Sequence, residues 1–329
     1  MFVKFAELIR FSRYKEWHFG KIPLLFNVIF IICLRSSECL NIFMALQWYI
    51  IFASFLAFAY MINNVSDIEI DSKVGKVIEL KSLSFKVRFL ITMITGVFGL
   101  AFASLYLDIY ALGILLGCYL MAWTYSLPPR FKEHNWIGPI VASIGQLSIP
   151  TIVILVSYRC FSLSAICYVF LTFLWGLRML LVHQILDMKN DKAAGVKTTV
   201  LSLGVESSYK LVFYMFSGEL VLVLIQIILL VRDGLFPFTL TLLIIPLIHL
   251  MLRWKFKLPI RLDSYEYIPL ADIYELILPL ILSLSLFIVS HGEKWWTLLL
   301  IFVLFGSRYW ERLTSAYFSI IDTKNDEGR

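Results

Sequence analysis

A long apolar run ends in Asn63-Asn64-Val65-Ser66-Asp67-Ile68-Glu69-Ile70-Asp71. Asn63, Asp67 and Asp71 recur every four residues, just over one helical turn, so their side chains stack along one face. A second apolar run ends in His183-Gln184-Ile185-Leu186-Asp187-Met188-Lys189-Asn190-Asp191, where Asp187 and Asp191 repeat that spacing. Asp67 and Asp187 lie 120 residues apart, as do Asp71 and Asp191. Four carboxylates facing one cavity repel each other unless cations sit between them. Mg²⁺ suits such a place, since it takes oxygen ligands and is held by one or two carboxylates plus substrate phosphates. The expected metal set is Asn63, Asp67, Asp71, Asp187 and Asp191, with Glu69 off that face and solvated.

Basic residues stand beside both clusters. Tyr125-Ser126-Leu127-Pro128-Pro129-Arg130-Phe131-Lys132 closes another apolar run, and its prolines stop the helix. Arg130 and Lys132 supply anion-binding charge there, and Lys197 in Gly195-Val196-Lys197-Thr198-Thr199 does so after the second motif. Any one of these alone reads as a topology anchor. Together, between carboxylate clusters, they predict a polyphosphate ligand held by Asn63, Tyr125, Arg130, Lys132 and Lys197. His183 extends the second acidic face and either ligates or orients the metal cluster. Asn27, Gln146 and Gln184 are candidates to line an acceptor pocket. Arg178, nine residues before Asp187 and on the opposite face, requires a partner at depth. Asp272 and Glu275 are expected to cap a helix.

The rest of the chain must position these groups. Its 329 residues are 60% hydrophobic and 16% charged, a balance that fits a polytopic membrane protein and not a soluble domain. The Lys and Arg residues are scattered over many loops, which argues against nucleic acid as a partner. Five cysteines form no CxxC pair and read as small core residues. Charges through Lys21 and no small-residue cleavage signature predict a retained first helix. With about 20 apolar residues needed to span the hydrocarbon core, ten segments qualify: 20–35, 41–63, 87–107, 109–127, 137–157, 162–186, 208–231, 235–252, 271–290 and 294–310. One face of that bundle has only Arg35, Arg159, Arg232 and Lys294, and Arg178 lies inside a span. The remaining 24 Lys and Arg share the other face with the two motifs, in the N-terminal arm, the second, fourth, sixth and eighth loops and the tail. The positive-inside rule therefore puts both termini and both motifs in the cytoplasm. The equal offsets predict two pseudo-repeated four-helix units around a central cavity.

At this point the sequence resembles the UbiA superfamily of intramembrane prenyltransferases. The resemblance rests on both Asp motifs, the Gly-x-Lys-Thr-Thr run after the second, and the Tyr-Ser-x-Pro-Pro-Arg-x-Lys stretch. It covers at least residues 10–290, within a single integral-membrane domain spanning 1–329, and leaves 291–329 as an extra apolar segment and polar tail. It implies an all-α bundle, nine to ten transmembrane helices here, with cap loops over the site. It also implies that Asn63, Asp67, Asp71, Asp187 and Asp191 bind Mg²⁺–diphosphate. Three departures stand out: Asn64 replaces the commoner Asp, Lys73-Val74-Gly75-Lys76 replaces an Arg-Pro pair, and the tenth apolar segment exceeds the usual count.

The expected activity is Mg²⁺-dependent transfer of a prenyl group from a polyprenyl diphosphate to a lipophilic or aromatic acceptor. Asp67, Asp71, Asp187, Asp191 and Lys132 are its expected catalytic residues. The partners are that diphosphate, the acceptor and membrane lipid. The protein is expected in a membrane (the plasma membrane in a prokaryote), with its N-terminus and site cytoplasmic. Phosphoribosyl transfer to a polyprenyl phosphate and terpene cyclisation are the alternatives within the resemblance. A cation transporter using paired Asp residues is the alternative outside it, disfavoured because such sites lie near the bilayer midplane with broken helices and no break is evident here.

Overall fold

A computed structural model describes residues 5–35, 40–73, 80, 83–235, 244, 251 and 273–326. Among these the chain is helical and no strand occurs. Two short helices, α1 (Phe5–Phe11) and α2 (Tyr14–Gly20), lead into α3 (Ile22–Cys33). The first motif ends α4 (Ile42–Lys73), which is followed by α5 (Phe85–Ser104) and α6 (Ile109–Ser126). Then come α7 (Ile137–Ser143), α8 (Ile149–Ser157) and α9 (Leu163–Ala194), which carries the second motif. The short α10 (Thr199–Leu203) and α11 (Val205–Leu230) complete that half. Beyond residue 272 lie α12 (Leu278–Val289) and α13 (Trp295–Asp326).

Local chemistry fixes the helix starts. Ser84, Asp108 and Ser162 each sit extended before an apolar run and accept a hydrogen bond from the backbone N–H three residues on. The second motif stops at Gly195, whose φ of 71° is left-handed and lets its N–H and that of Val196 turn back onto Lys192 and Asp191.

Seven helices among the described residues are long and apolar enough to cross a membrane, and Tyr274–Val289 is a shorter apolar one. They coincide with eight of the expected segments. The segment 235–252 and Asp272 lie outside the described residues, apart from positions 235, 244 and 251. The tenth segment is the first part of α13.

Two features lie beyond what run lengths reveal. The short first span is the centre of the bundle: all twelve residues of α3 are buried, packed by α9, α12 and the N-terminal helices. A helix apolar on every side has no solvent face to present, so burial all round is its stable place. The span 137–157 is one helical stretch but not a uniform α-helix. Residues Ile144–Ser148 form a π-helical turn between α7 and α8, so a mid-helix irregularity exists that the sequence pattern does not reveal.

The outer helices show the opposite pattern. Ile94, Val97 and Phe98 on α5, Leu116 and Leu120 on α6, and Val221 and Ile228 on α11 are exposed. Such apolar belts on helices of this length fit acyl chains. The two motif helices have equal length, 32 residues each, and each packs against the long helix that follows it, α4 on α5 and α9 on α11.

Candidate active site

The acidic ends of α4 and α9 open into one cavity of about 920 Å³. Its lining includes Asn63, Asp67 and Asp71 from α4 and His183, Asp187 and Asp191 from α9, with Tyr125, Arg130 and Lys132 between them. The two motifs, 120 residues apart in sequence, thus face the same space.

Lys132 is the best-held group. After α6 ends, Arg130 adopts a left-handed φ of 57° and turns the chain into a 3-10 turn, Phe131–Glu133. That turn carries Lys132 back over α4. Its Nζ donates to Asn63 Oδ1 at 3.0 Å, Ser66 Oγ at 2.7 Å and Asp67 Oδ1 at 2.5 Å. Burial pushes its ammonium below the ordinary lysine range, and the Asp67 carboxylate pulls it partly back. Arg130 donates to Asp67 Oδ1 at 3.3 Å, to the Ser66 carbonyl at 3.2 Å and to Glu133 at 2.6 Å.

Gly138 makes this turn possible. A Cβ there would lie 2.9 Å from the Phe131 carbonyl oxygen and 3.1 Å from Lys132 Cα. Both are backbone atoms, so only glycine lets α7 start against the turn. Asn135 then couples the turn to the loop after the second motif. Its carbonyl accepts from Thr199 Oγ1 and its side-chain oxygen from Ser202 Oγ, both at 2.7 Å. The turn after α6 and the short α10 after the second motif are therefore tied together.

The other predicted residues fall as follows. His183 Nε2 is 3.6 Å from Asp187 Oδ2, within ion-pair reach when the ring is protonated. Gln184 lines the cavity and accepts from the Val200 N–H. Lys197 is exposed, and its neighbours Val196 and Thr198 line the cavity instead. Asn27 sits in the core, donating to the Tyr168 hydroxyl and the Tyr274 carbonyl, and not in a pocket. Arg178 finds its partner in Glu219 of α11: Nε donates to Oε1 at 2.5 Å and Nη2 to Oε2 at 2.9 Å, with both side chains fully buried. Glu275 stands in the first turn at a helix start, as expected of a residue that favours the helix dipole. It is buried in a π-helical turn, Ile273–Ile277, and lines a second chamber.

Ser66, the N-terminal arm and α13 are contributors the motifs do not reveal. Arg10, Arg13 and Lys15 reach the cavity from the arm, and Ser307 and Glu311 from α13. Their charges look like topology anchors in the sequence. Only Ser66, between Asn63 and Asp67, lies inside a recognisable motif.

The oxygen set suits a hard divalent cation. Among the described residues no three His, Cys, Asp or Glu side chains converge as a ready-made cage. Mg²⁺ keeps waters and shares carboxylates with phosphate oxygens, so it needs few protein ligands. Asn63, Ser66 and Asp67 already hold one cation, the Lys132 ammonium, by three oxygens. Carboxylates for metals and basic groups for an anion thus line one space.

The model of the UbiA prenyltransferase family matches residues 24–265. None of the curated protein sequences matches the chain. Among solved structures, a UbiA homolog from Archaeoglobus fulgidus bound to DMAPP and Mg²⁺ superposes with a TM-score of 0.62 at 18% identity. It covers 86% of this chain and 99% of that one. The same homolog bound to GPP and Mg²⁺ gives 0.61 at 17% identity, over 89% and 99%. A digeranylgeranylglyceryl phosphate synthase in membranes gives 0.51 at 19% identity, over 87% and 97%. At these identities the structural likeness is one of fold.

Proposed function

The chain belongs to the UbiA prenyltransferase family, and from that premise we propose that it moves a prenyl group from a polyprenyl diphosphate to a lipophilic or aromatic acceptor at the cytoplasmic side of the membrane. One observation carries the reading: carboxylates from both motif helices line a single cavity together with Lys132 and Arg130. Relatives of the same fold bound to DMAPP or GPP with Mg²⁺ support it.

Asn63, Asp67, Asp71, Asp187 and Asp191 would hold the metal, which when bound neutralises and polarises a diphosphate leaving group. Lys132 and Arg130 both contact Asp67. Both cations line the cavity that would receive the diphosphate oxygens. There they stabilise the negative charge that grows as the allylic C–O bond breaks. Tyr125, at the inner end of the cavity, faces both this space and the chamber behind it. The apolar bundle keeps water from the allylic carbon until the acceptor attacks.

The test is product analysis by mass spectrometry, using membranes containing the protein, Mg²⁺ and a panel of polyprenyl diphosphates. Prenylated product that disappears in excess EDTA is expected. Unchanged diphosphates with every chain length would sink the reading.

A further inference from the structure

One buried arginine stands apart from the site just described. Arg88, at the end of the first turn of α5, is 7% exposed. Among the described residues its Nε and Nη1 have no hydrogen-bond partner. It heads a buried stripe on α5 that continues through Thr92, Gly96, Gly99 and Ala103. That stripe faces α4, because a Cβ on Gly96 would meet Phe58 and one on Gly99 would meet Ser54, each at 2.7 Å. Asp67 lies nine residues beyond Phe58, half a turn round a straight helix. Arg88 is therefore on the side of α4 turned away from the metal face, and it lines neither cavity. The Asp67 carboxylate is itself engaged by Lys132 and Arg130. An unpaired guanidinium out of water is costly, so one kept in a membrane helix points to a ligand that completes it.

The surroundings give the chemistry of that ligand. Helical side chains lean toward the N-terminus of their helix, so Arg88 leans over the start of α5. There Ser84 Oγ accepts the Val87 N–H at 3.4 Å, while the N–H groups of Phe85 and Lys86 point along the axis at the positive end of the dipole. A phosphate accepts from such a helix end and from a guanidinium together. Because α4 ends in the first acidic motif and α5 runs back from it, this end lies at the membrane face that carries the motif. The sequence leading into it is basic, with Lys73, Lys76, Lys81, Lys86 and Arg88 against Glu79 alone. Basic segments beside a span attract anionic lipid. From the same end an exposed apolar strip runs along α5 through Leu90, Ile94, Val97 and Phe98, at the spacing of one helical face. A free phosphate would use the charged end and leave this strip idle. An anionic phospholipid uses both.

We propose that the N-terminal end of α5 is a binding site for an anionic phospholipid. Arg88 and the helix end hold its headgroup phosphate, and its acyl chains lie along Leu90, Ile94, Val97 and Phe98. The site is separate from the diphosphate cavity and does not depend on prenyl transfer.

The experiment uses the full chain, purified in detergent and stripped of lipid. The probes are dioleoyl phosphatidylglycerol, dioleoyl phosphatidylcholine and glycerol 3-phosphate. Native mass spectrometry follows binding, and melting curves follow stability. Phosphatidylglycerol should bind roughly tenfold more tightly than phosphatidylcholine and raise the melting temperature. Glycerol 3-phosphate, an anion without chains, should do neither. Arg88→Met should weaken phosphatidylglycerol binding by roughly tenfold or more, the scale of a charge-assisted hydrogen bond. Lys210→Gln removes an exposed charge from the same membrane face, and should leave binding within about twofold of the parent. Without lipid, Arg88→Met should melt no lower than the parent, because it removes a buried charge that has no partner. A marked drop or a failure to fold would mean that Arg88 is paired within the protein, and would overturn the proposal. Equal binding of the two lipids, or glycerol 3-phosphate bound as tightly as phosphatidylglycerol, would overturn it too. So would equal losses in Arg88→Met and Lys210→Gln, the mark of attraction by net charge alone.

Discussion

Lys132 touches both sides of the proposed chemistry, because the oxygens that hold it are those that would hold metal. Charge-assisted hydrogen bonds contribute about 1.5–3 kcal/mol each. Lys132→Ala should therefore raise the KM for prenyl diphosphate by roughly 10- to 100-fold while the protein inserts normally. Initial rates at limiting diphosphate check this, and unchanged kinetics would return Lys132 to the role of a topology anchor. Much of this was legible in the sequence. The i, i+4 carboxylates and the Pro-Pro-Arg-x-Lys stretch need only helical geometry and helix-stopping prolines to be placed. Ser66 was not legible as a partner, because a hydroxyl one residue before an Asp has many uses. The burial of Glu275 was not legible either. A carboxylate near a helix start normally caps it, and no sequence pattern marks the π-helical turn that buries it here.

At the scale of elements, the site depends on two joints. One is the contact of α7 with the Lys132 turn, where Gly138 is the only side-chain size that fits. Gly138→Ala should push the turn outward by a fraction of an ångström or more. A displacement of that order at a reacting group costs on the order of 10- to 100-fold in rate. The readout is a fall in kcat/KM with little change in melting temperature, and parental kinetics would exclude the joint as a determinant. The other is the fully buried Arg178–Glu219 pair that clamps α9 to α11. Removing one member of such a pair leaves an uncompensated buried charge, at a cost of about 3–5 kcal/mol. Arg178→Met should lower the thermal midpoint in detergent markedly, and the double variant Arg178→Met, Glu219→Leu should recover most of it. A single variant as stable as the parent would contradict the clamp. The need for a partner was legible from Arg178 alone. Its identity was not, because α9 and α11 meet through packing that no spacing rule encodes.

Across the whole molecule, apolar run lengths located the helices well, since the hydrocarbon thickness sets one length for all of them. They could not say which helix is central. That depends on all-round burial of α3 within a bundle whose outer helices face lipid. Run lengths were also blind to the π-helical turn at Ile144–Ser148, which leaves hydropathy unchanged. The repeat offset of 120 residues was the most informative whole-chain signal. It anticipated that α4 and α9, equal in length, would present their acidic ends to one cavity. The central claim follows from it: the two halves make a single metal–diphosphate site. Turnover against Mg²⁺ concentration for Asp67→Asn, Asp187→Asn and the double variant tests this most directly. Groups acting as one unit are strongly non-additive. Each single variant should therefore fall to about 1% of the parent rate or less, and the double variant should be only a few-fold lower. Near-parental activity in either single variant, or a double variant whose loss is the product of the two single losses, would contradict a shared site.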